Sequence, residues 1–174
     1  PLDWAQAEGE FVTQLRGALV AFPSAVLGFA LSSKGGAMTG DAADFAANEM
    51  PVLATVSDGD GEVSSFDTVT RLPVAPLRIA AQTGFSLLLT KVPLPTDVVP
   101  VVAGDGKRLV PSLVAQAVTL FQHVPYAAQR LRLGTGARLS LGDELIVPLN
   151  ADGTMTLSSR PQVPRVNALE LMAP

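Results

Sequence analysis

The hydrophobic positions of this chain change period along its length. In residues 72–90 (LPVAPLRIAAQTGFSLLLT), Leu77, Ala80 and Ala81 recur at helical spacing behind Pro73 and Pro76. A first helical turn tolerates proline, because its N–H groups have no intrahelical partner. Gly84 stands where a helix commonly ends in a left-handed residue, and Phe85, Leu87 and Leu89 then alternate as a mostly apolar strand. Upstream, Trp4, Phe11, Leu15, Ala18, Leu19 and Phe22 fall on a helical stripe. Asp3 is its predicted cap, Glu8 and Glu10 lie early, where the helix dipole favours acid, and Pro23 ends it. Residues 25–31 (AVLGFAL) form a continuous apolar run bounded by turn residues, which fits a strand buried on both faces.

The same reading predicts a loop over 32–40 (SSKGGAMTG), a short helix over 41–48 and a short strand over 52–56. Residues 98–103 (VVPVVA) read as a strand that Pro100 confines to an edge or a bulge, followed by a tight turn at Gly104-Asp105-Gly106. Residues 111–122 (PSLVAQAVTLFQ) read as a helix with Pro111 in its first turn and Leu113, Val114, Ala117, Val118 and Phe121 on one apolar face. A strand is expected over 130–133. A β-hairpin is expected from 145–149 and 154–157 around Asn150-Ala151-Asp152-Gly153, whose residue types supply positive φ angles. A further helix is expected to begin within 167–172. Helix followed by buried strand is half of a crossover unit. The expected fold class is therefore α/β (mixed α+β): a central sheet with buried strands flanked by helices, plus antiparallel hairpins, in a single domain over residues 1–174.

Composition narrows the chemistry. The chain has 174 residues, enough for one domain with a real core; 48% are hydrophobic and only 16% charged, which suggests a large buried interface or missing polar covering. The 12 basic residues are scattered against 16 acidic ones, so no nucleic-acid footprint is expected. There is no cysteine, which excludes disulfides, thiolate metal sites and a cysteine nucleophile. No apolar run reaches the roughly 18–20 residues of a membrane helix, and there is no signal-peptide pattern. The chain opens at Pro1, and we read it as a piece of a longer protein.

Candidate catalytic groups are few. No serine sits in a G-x-S-x-G elbow, and a lone GDG without a lysine–serine/threonine pair makes no phosphate loop. Asp58, Asp60 and Glu62 alternate with glycine, but a calcium loop needs a different spacing and a closing glutamate, so a solvated acidic turn is expected. Asp143 and Glu144 are adjacent carboxylates at a predicted turn. His123 is the single histidine; without a partner motif it reads as a polar residue near a helix C-terminus. No catalytic residue, cofactor site or metal site is assigned. The question left for the structure is whether Arg78, Arg108 or His123 lines a pocket.

In order, Val26-Leu27-Gly28-Phe29-Ala30, then Pro73…Leu77…Ala80-Ala81…Gly84-Phe85, then Pro111-Ser112-Leu113, then Leu145-Ile146-Val147-Pro148-Leu149-Asn150 with Asp152-Gly153, resemble the CHASE2 family of extracytoplasmic sensor domains. The likeness runs from about Glu8 to Leu171 and rests on order and spacing. The chain departs from the family at KVPLPTDVVPV, where Pro95, Thr96 and Asp97 replace a charged turn, and it reads as truncated at both ends. The resemblance implies a sensory input domain in the periplasmic portion of a bacterial membrane receptor whose output is a nucleotide cyclase or kinase. It implies a small-molecule ligand of unknown identity, a homodimer, a membrane-anchored parent chain and no enzymatic activity in the domain itself. The alternative is a dimerisation or assembly module without a ligand.

Overall fold

The computed structural model describes residues 9–22, 24–53, 56–57, 61–143 and 145–157. Asp3, Trp4, Glu8, Pro23, Asp58, Asp60, Glu144 and residues 167–172, with the readings attached to them, lie outside the described residues. The apolar run AVLGFAL becomes β1 (Val26–Ser32), the middle strand of a three-stranded sheet. β1 runs antiparallel to β3 (Thr68–Thr70) and parallel to β4 (Gln82–Leu89). A strand with neighbours on both edges and cover on both faces has no solvated side, hence the absence of alternation. Phe29, Leu31, Phe66, Phe85 and Leu88 build the core with Phe45 of α2 (Asp41–Asn48). Phe29 meets Phe45 edge to face at 5.1 Å between ring centroids, a geometry favoured by the ring quadrupoles.

Gly84 is not a helix stop. The helix α3 spans only Ala75–Arg78, and β4 begins two residues before Gly84, where the Gln82 N–H donates to the Ala25 carbonyl. Gly84 pairs with Gly28 in the parallel register. The register shifts after Phe29, where Ser86 is the extra residue of a bulge; its hydroxyl donates to the Phe29 carbonyl at 3.2 Å.

The glycine pair is explained by what lies above it. α4 (Leu113–Phe121) starts directly over β4, and its cap, Ser112, accepts the Ala115 N–H. Pro111 does not enter the helix. It closes β7 (Leu109–Pro111), which pairs with β6 (Val102–Gly104) around the expected Gly104-Asp105-Gly106 turn. The buried face of α4 also differs from the expected one. Ala115, Gln116 and Thr119 are buried below Ser112, while Val114 is 56% and Phe121 79% exposed. The helix is apolar nearly all round, so its pattern does not choose a face. Close approach to the glycine-bearing strands favours its small and polar side, and Thr119 satisfies its hydroxyl on the Ala115 carbonyl.

A second core lies under a four-stranded sheet. β8 (Gln129–Arg132), β9 (Arg138–Leu141) and β10 (Leu145–Pro148) form an antiparallel meander, and the two-residue β2 (Val56–Ser57) lies parallel to β8. Of the strand expected over 52–56, Val56 lies in β2, while Leu53 is buried and donates its N–H to the Leu109 carbonyl. The expected hairpin after residue 145 does not form. β10 pairs with β9, while β11 (Thr154–Thr156) pairs with β5 (Val98–Pro100). The Asn150–Gly153 turn is present, but the Gly153 carbonyl accepts the N–H groups of Val101 and Val102 and draws the chain away from β10. Those bonds also break the single strand expected over 98–103 into β5 and β6. β5 has one ladder partner, as Pro100 requires.

α1 (Gly9–Ala21) covers the remaining face, its Val12, Leu15 and Leu19 meeting Leu27 and Leu77. Phe11, Ala18 and Phe22, expected on its buried stripe, point outward. The chain is a mixed α+β protein. Among the described residues no helix is long and apolar enough to cross a membrane.

Candidate ligand site

Arg78 is a buried cation paired with two carboxylates. Its side chain is 2% exposed, because α3 presses it between Phe45 and the loop before the helix. Every guanidinium nitrogen has an acceptor: Nε and Nη2 donate to Glu49, Nη1 and Nη2 to Asp41, and Nη1 also to the Pro73 carbonyl at 2.7 Å. The cation stands 5.3 Å from the Phe45 ring centroid. Hydrogen bonds to Glu49 and Asp41 raise the Arg78 pKa, so it stays charged; its hydrogen bonds hold both carboxyls below their ordinary range despite some burial. The result is a clamp between α2 and α3.

Beside the clamp is a pocket of about 330 Å³, with walls from Phe45, Glu49, Pro51, Arg78, Thr83 and Gln116. Four elements meet here: α2, α3, β4 and α4. Gln116 is 2% exposed, and its Oε1 is buried without a hydrogen-bond partner. A buried, unsatisfied amide costs free energy unless something supplies the missing bond. Arg78 has no donor to spare and the Gln116 Oε1 is itself closed off from solvent, so the pocket offers a partly exposed carboxylate at Glu49 and an apolar wall at Pro51 and Ala81.

The other two sequence candidates lie elsewhere. Arg108 closes on Asp105 at 2.6 Å and donates to the Ala46 carbonyl, tying the β6–β7 turn to α2. Burial pushes the Asp105 carboxyl upward, but bonds from Arg108 and from the Lys107 and Arg108 N–H groups outweigh it and leave the pKa lowered. His123 follows α4 with φ 53° and donates its N–H to the Leu120 carbonyl. It is exposed and occupies the left-handed position that ends a helix, near the expected place. Asp143 lies in the β9–β10 turn. No group of three or more His, Cys, Asp or Glu side chains that could hold a metal occurs among the described residues.

A larger and mostly apolar groove of about 500 Å³ runs between the outer edge of β4 and β5, lined by Leu87, Leu89, Pro93, Val99, Leu113 and Val114. β4 is the edge of its sheet, accompanied on that side by one isolated bridge, from Phe85 to Ser112. Glu49 and Gln116 were not singled out from the sequence. The available signal was a glutamine inside an otherwise apolar helix, on the side opposite the face the pattern favoured. Compared with known proteins, the chain matches no family model, no curated protein and no solved structure.

Proposed function

We propose that this chain is a sensory input domain of the CHASE2 type, the extracytoplasmic part of a bacterial membrane receptor, and that the Arg78–Gln116 pocket is its ligand site. The observation that carries the sensing reading is a pocket shared by four elements, with the partly exposed Glu49 carboxylate and Gln116 in its lining. A small metabolite with an ammonium or amide group would suit Glu49. Binding that favours one spacing of α2, α3 and α4 over another passes a signal through that difference in free energy. Support for the family reading comes from the meeting of its motifs: Gly28 of the LGFA run pairs with Gly84 of the TGF run, and Leu113 of PSL lies against both. The receptor context, periplasmic location and cyclase or kinase output belong to the same proposal.

The second reading, an assembly module, draws on the exposed Val114 and Phe121 of α4, Phe22 after α1 and the open edge of β4. Thermal melting and light scattering across a panel of amino- and amide-bearing metabolites separate the two. Sensing predicts a compound that raises the melting temperature of the wild type and not of Gln116→Leu. A stable dimer indifferent to every compound would replace the sensing reading with the assembly one.

A further inference from the structure

The meander carries a second site of different chemistry. On β8 and β9 the inward residues Gln129, Leu131, Leu139 and Leu141 are buried, which turns Arg130, Arg132 and Arg138 to the opposite, exposed face. The register sets Arg132 directly across from Arg138, and Arg130 across from Ser140. Like charges opposite each other in an antiparallel pair are destabilising. None of the three arginines has an ion pair or side-chain hydrogen bond among the described residues. They line a cleft of about 500 Å³ with Ser140, Ile146 and Asp143. Among the described residues that line it, three guanidinium groups face the one carboxylate of Asp143, a surplus of two positive charges on a chain whose net charge is −4.

We propose that this cleft binds a phosphate dianion, free or as a small phosphate monoester, through Arg130, Arg132 and Arg138. The guanidinium fork matches phosphate oxygens bidentately, and a dianion neutralises the surplus charge. The Ser140 hydroxyl adds a neutral donor, and Ile146 gives an esterified organic group an apolar rest. The bound anion turns the unfavourable Arg132–Arg138 opposition into a shared contact. The site is separate from the Gln116 pocket and does not rest on it.

Calorimetric titration of the full chain with inorganic phosphate, against chloride at matched ionic strength, tests this. The expected result is saturable binding and a raised melting temperature. Arg132→Gln and Arg138→Gln should each weaken binding about tenfold, the loss of one charged hydrogen-bonding partner. Without phosphate both variants should melt no lower than the wild type, since each relieves a like-charge pair. Arg138→Lys should bind better than Arg138→Gln, and Gln116→Leu should bind phosphate as the wild type does. Absence of saturable binding, unchanged affinity in both glutamine variants, or loss of binding in Gln116→Leu would overturn the assignment. So would association with phosphatidylglycerol vesicles that free phosphate fails to compete away, which would mark the face as a lipid-surface contact.

Discussion

Gly84 lies so close beneath Leu113 that a β-carbon on it would stand 2.7 Å from the Leu113 Cα and 2.8 Å from its backbone nitrogen. The obstacle is backbone rather than a flexible side chain, so it has no cheap way to yield. Gly84→Ala must therefore lift the start of α4 off β4, and we expect a loss of about 2–3 kcal/mol, in the range of overpacked cores. Urea unfolding would measure it. A loss below about 0.5 kcal/mol, the scale of an ordinary surface change, would mean that the two elements are not held at this spacing.

The Arg78 clamp predicts an asymmetry between its two sides. Arg78→Met frees carboxylates whose side chains are 60% exposed at Asp41 and 38% at Glu49, so water can take over much of their solvation. The expected cost is about 2 kcal/mol, discounted for that exposure. The double change Asp41→Ala with Glu49→Ala leaves a buried guanidinium without counter-ions and should cost more, about 3–5 kcal/mol. Equal costs in denaturant titrations would show that the clamp does not depend on which charge is buried.

The same clamp fixes the sign of an acid effect. Both carboxyls are held below their ordinary values of 3.8 for Asp41 and 4.5 for Glu49, first by hydrogen bonds from Arg78. The unfolded chain therefore binds protons before the folded one. The stabilisation is complete above the ordinary values and fades as pH falls through the lowered ones. Melting temperatures of the wild type should drop across that acid window more steeply than those of Arg78→Met, in which the shifts have no source.

Gln129 is 1% exposed and its Nε2 is buried without a partner. Replacing it with methionine removes an unsatisfied donor at similar volume. We expect a gain of about 1 kcal/mol by chemical unfolding. A loss of similar size would reveal a bonding role for the amide.

His123 holds φ 53° without the freedom of glycine. A left-handed residue with a Cβ costs about 1 kcal/mol, part of which glycine returns as chain entropy in the unfolded state, so His123→Gly should gain about 0.5 kcal/mol. A lower melting temperature in the variant would point to a contact made by the imidazole.

The sequence pattern was most informative where one face of an element is unambiguous. AVLGFAL is apolar without relief and becomes a strand with neighbours on both sides; DAADFAAN becomes α2 with the bounds expected. It was least informative where apolar residues surround the element. α4 has hydrophobic side chains on every side, and the strand glycines beneath it, distant in sequence, decide which side is buried. Gln116 was hidden for the same reason. Strand pairing failed where turn chemistry and ladder chemistry disagree: Asn150–Gly153 turns the chain as its residues require, yet bonds to Val101 and Val102 send β11 to β5. Arg130 and Arg132 fall in the strand expected over 130–133, Arg138 lay in no expected element, and the opposition across β8 and β9 depends on a register that no local pattern encodes.

The parallel ladder of β1 with β4 has a consequence for how the molecule is made. Its partners are separated in the chain by α2, β2, β3 and α3, so β1 leaves the ribosome long before its parallel partner strand exists. The entropy of closing that loop is lost before any pairing returns it, which makes this step slow. A nascent chain arrested before Gln82 would present the unpaired β4-side edge of β1 to whatever binds unfolded polypeptide. Extension past Leu89 would be the point at which such a holder lets go.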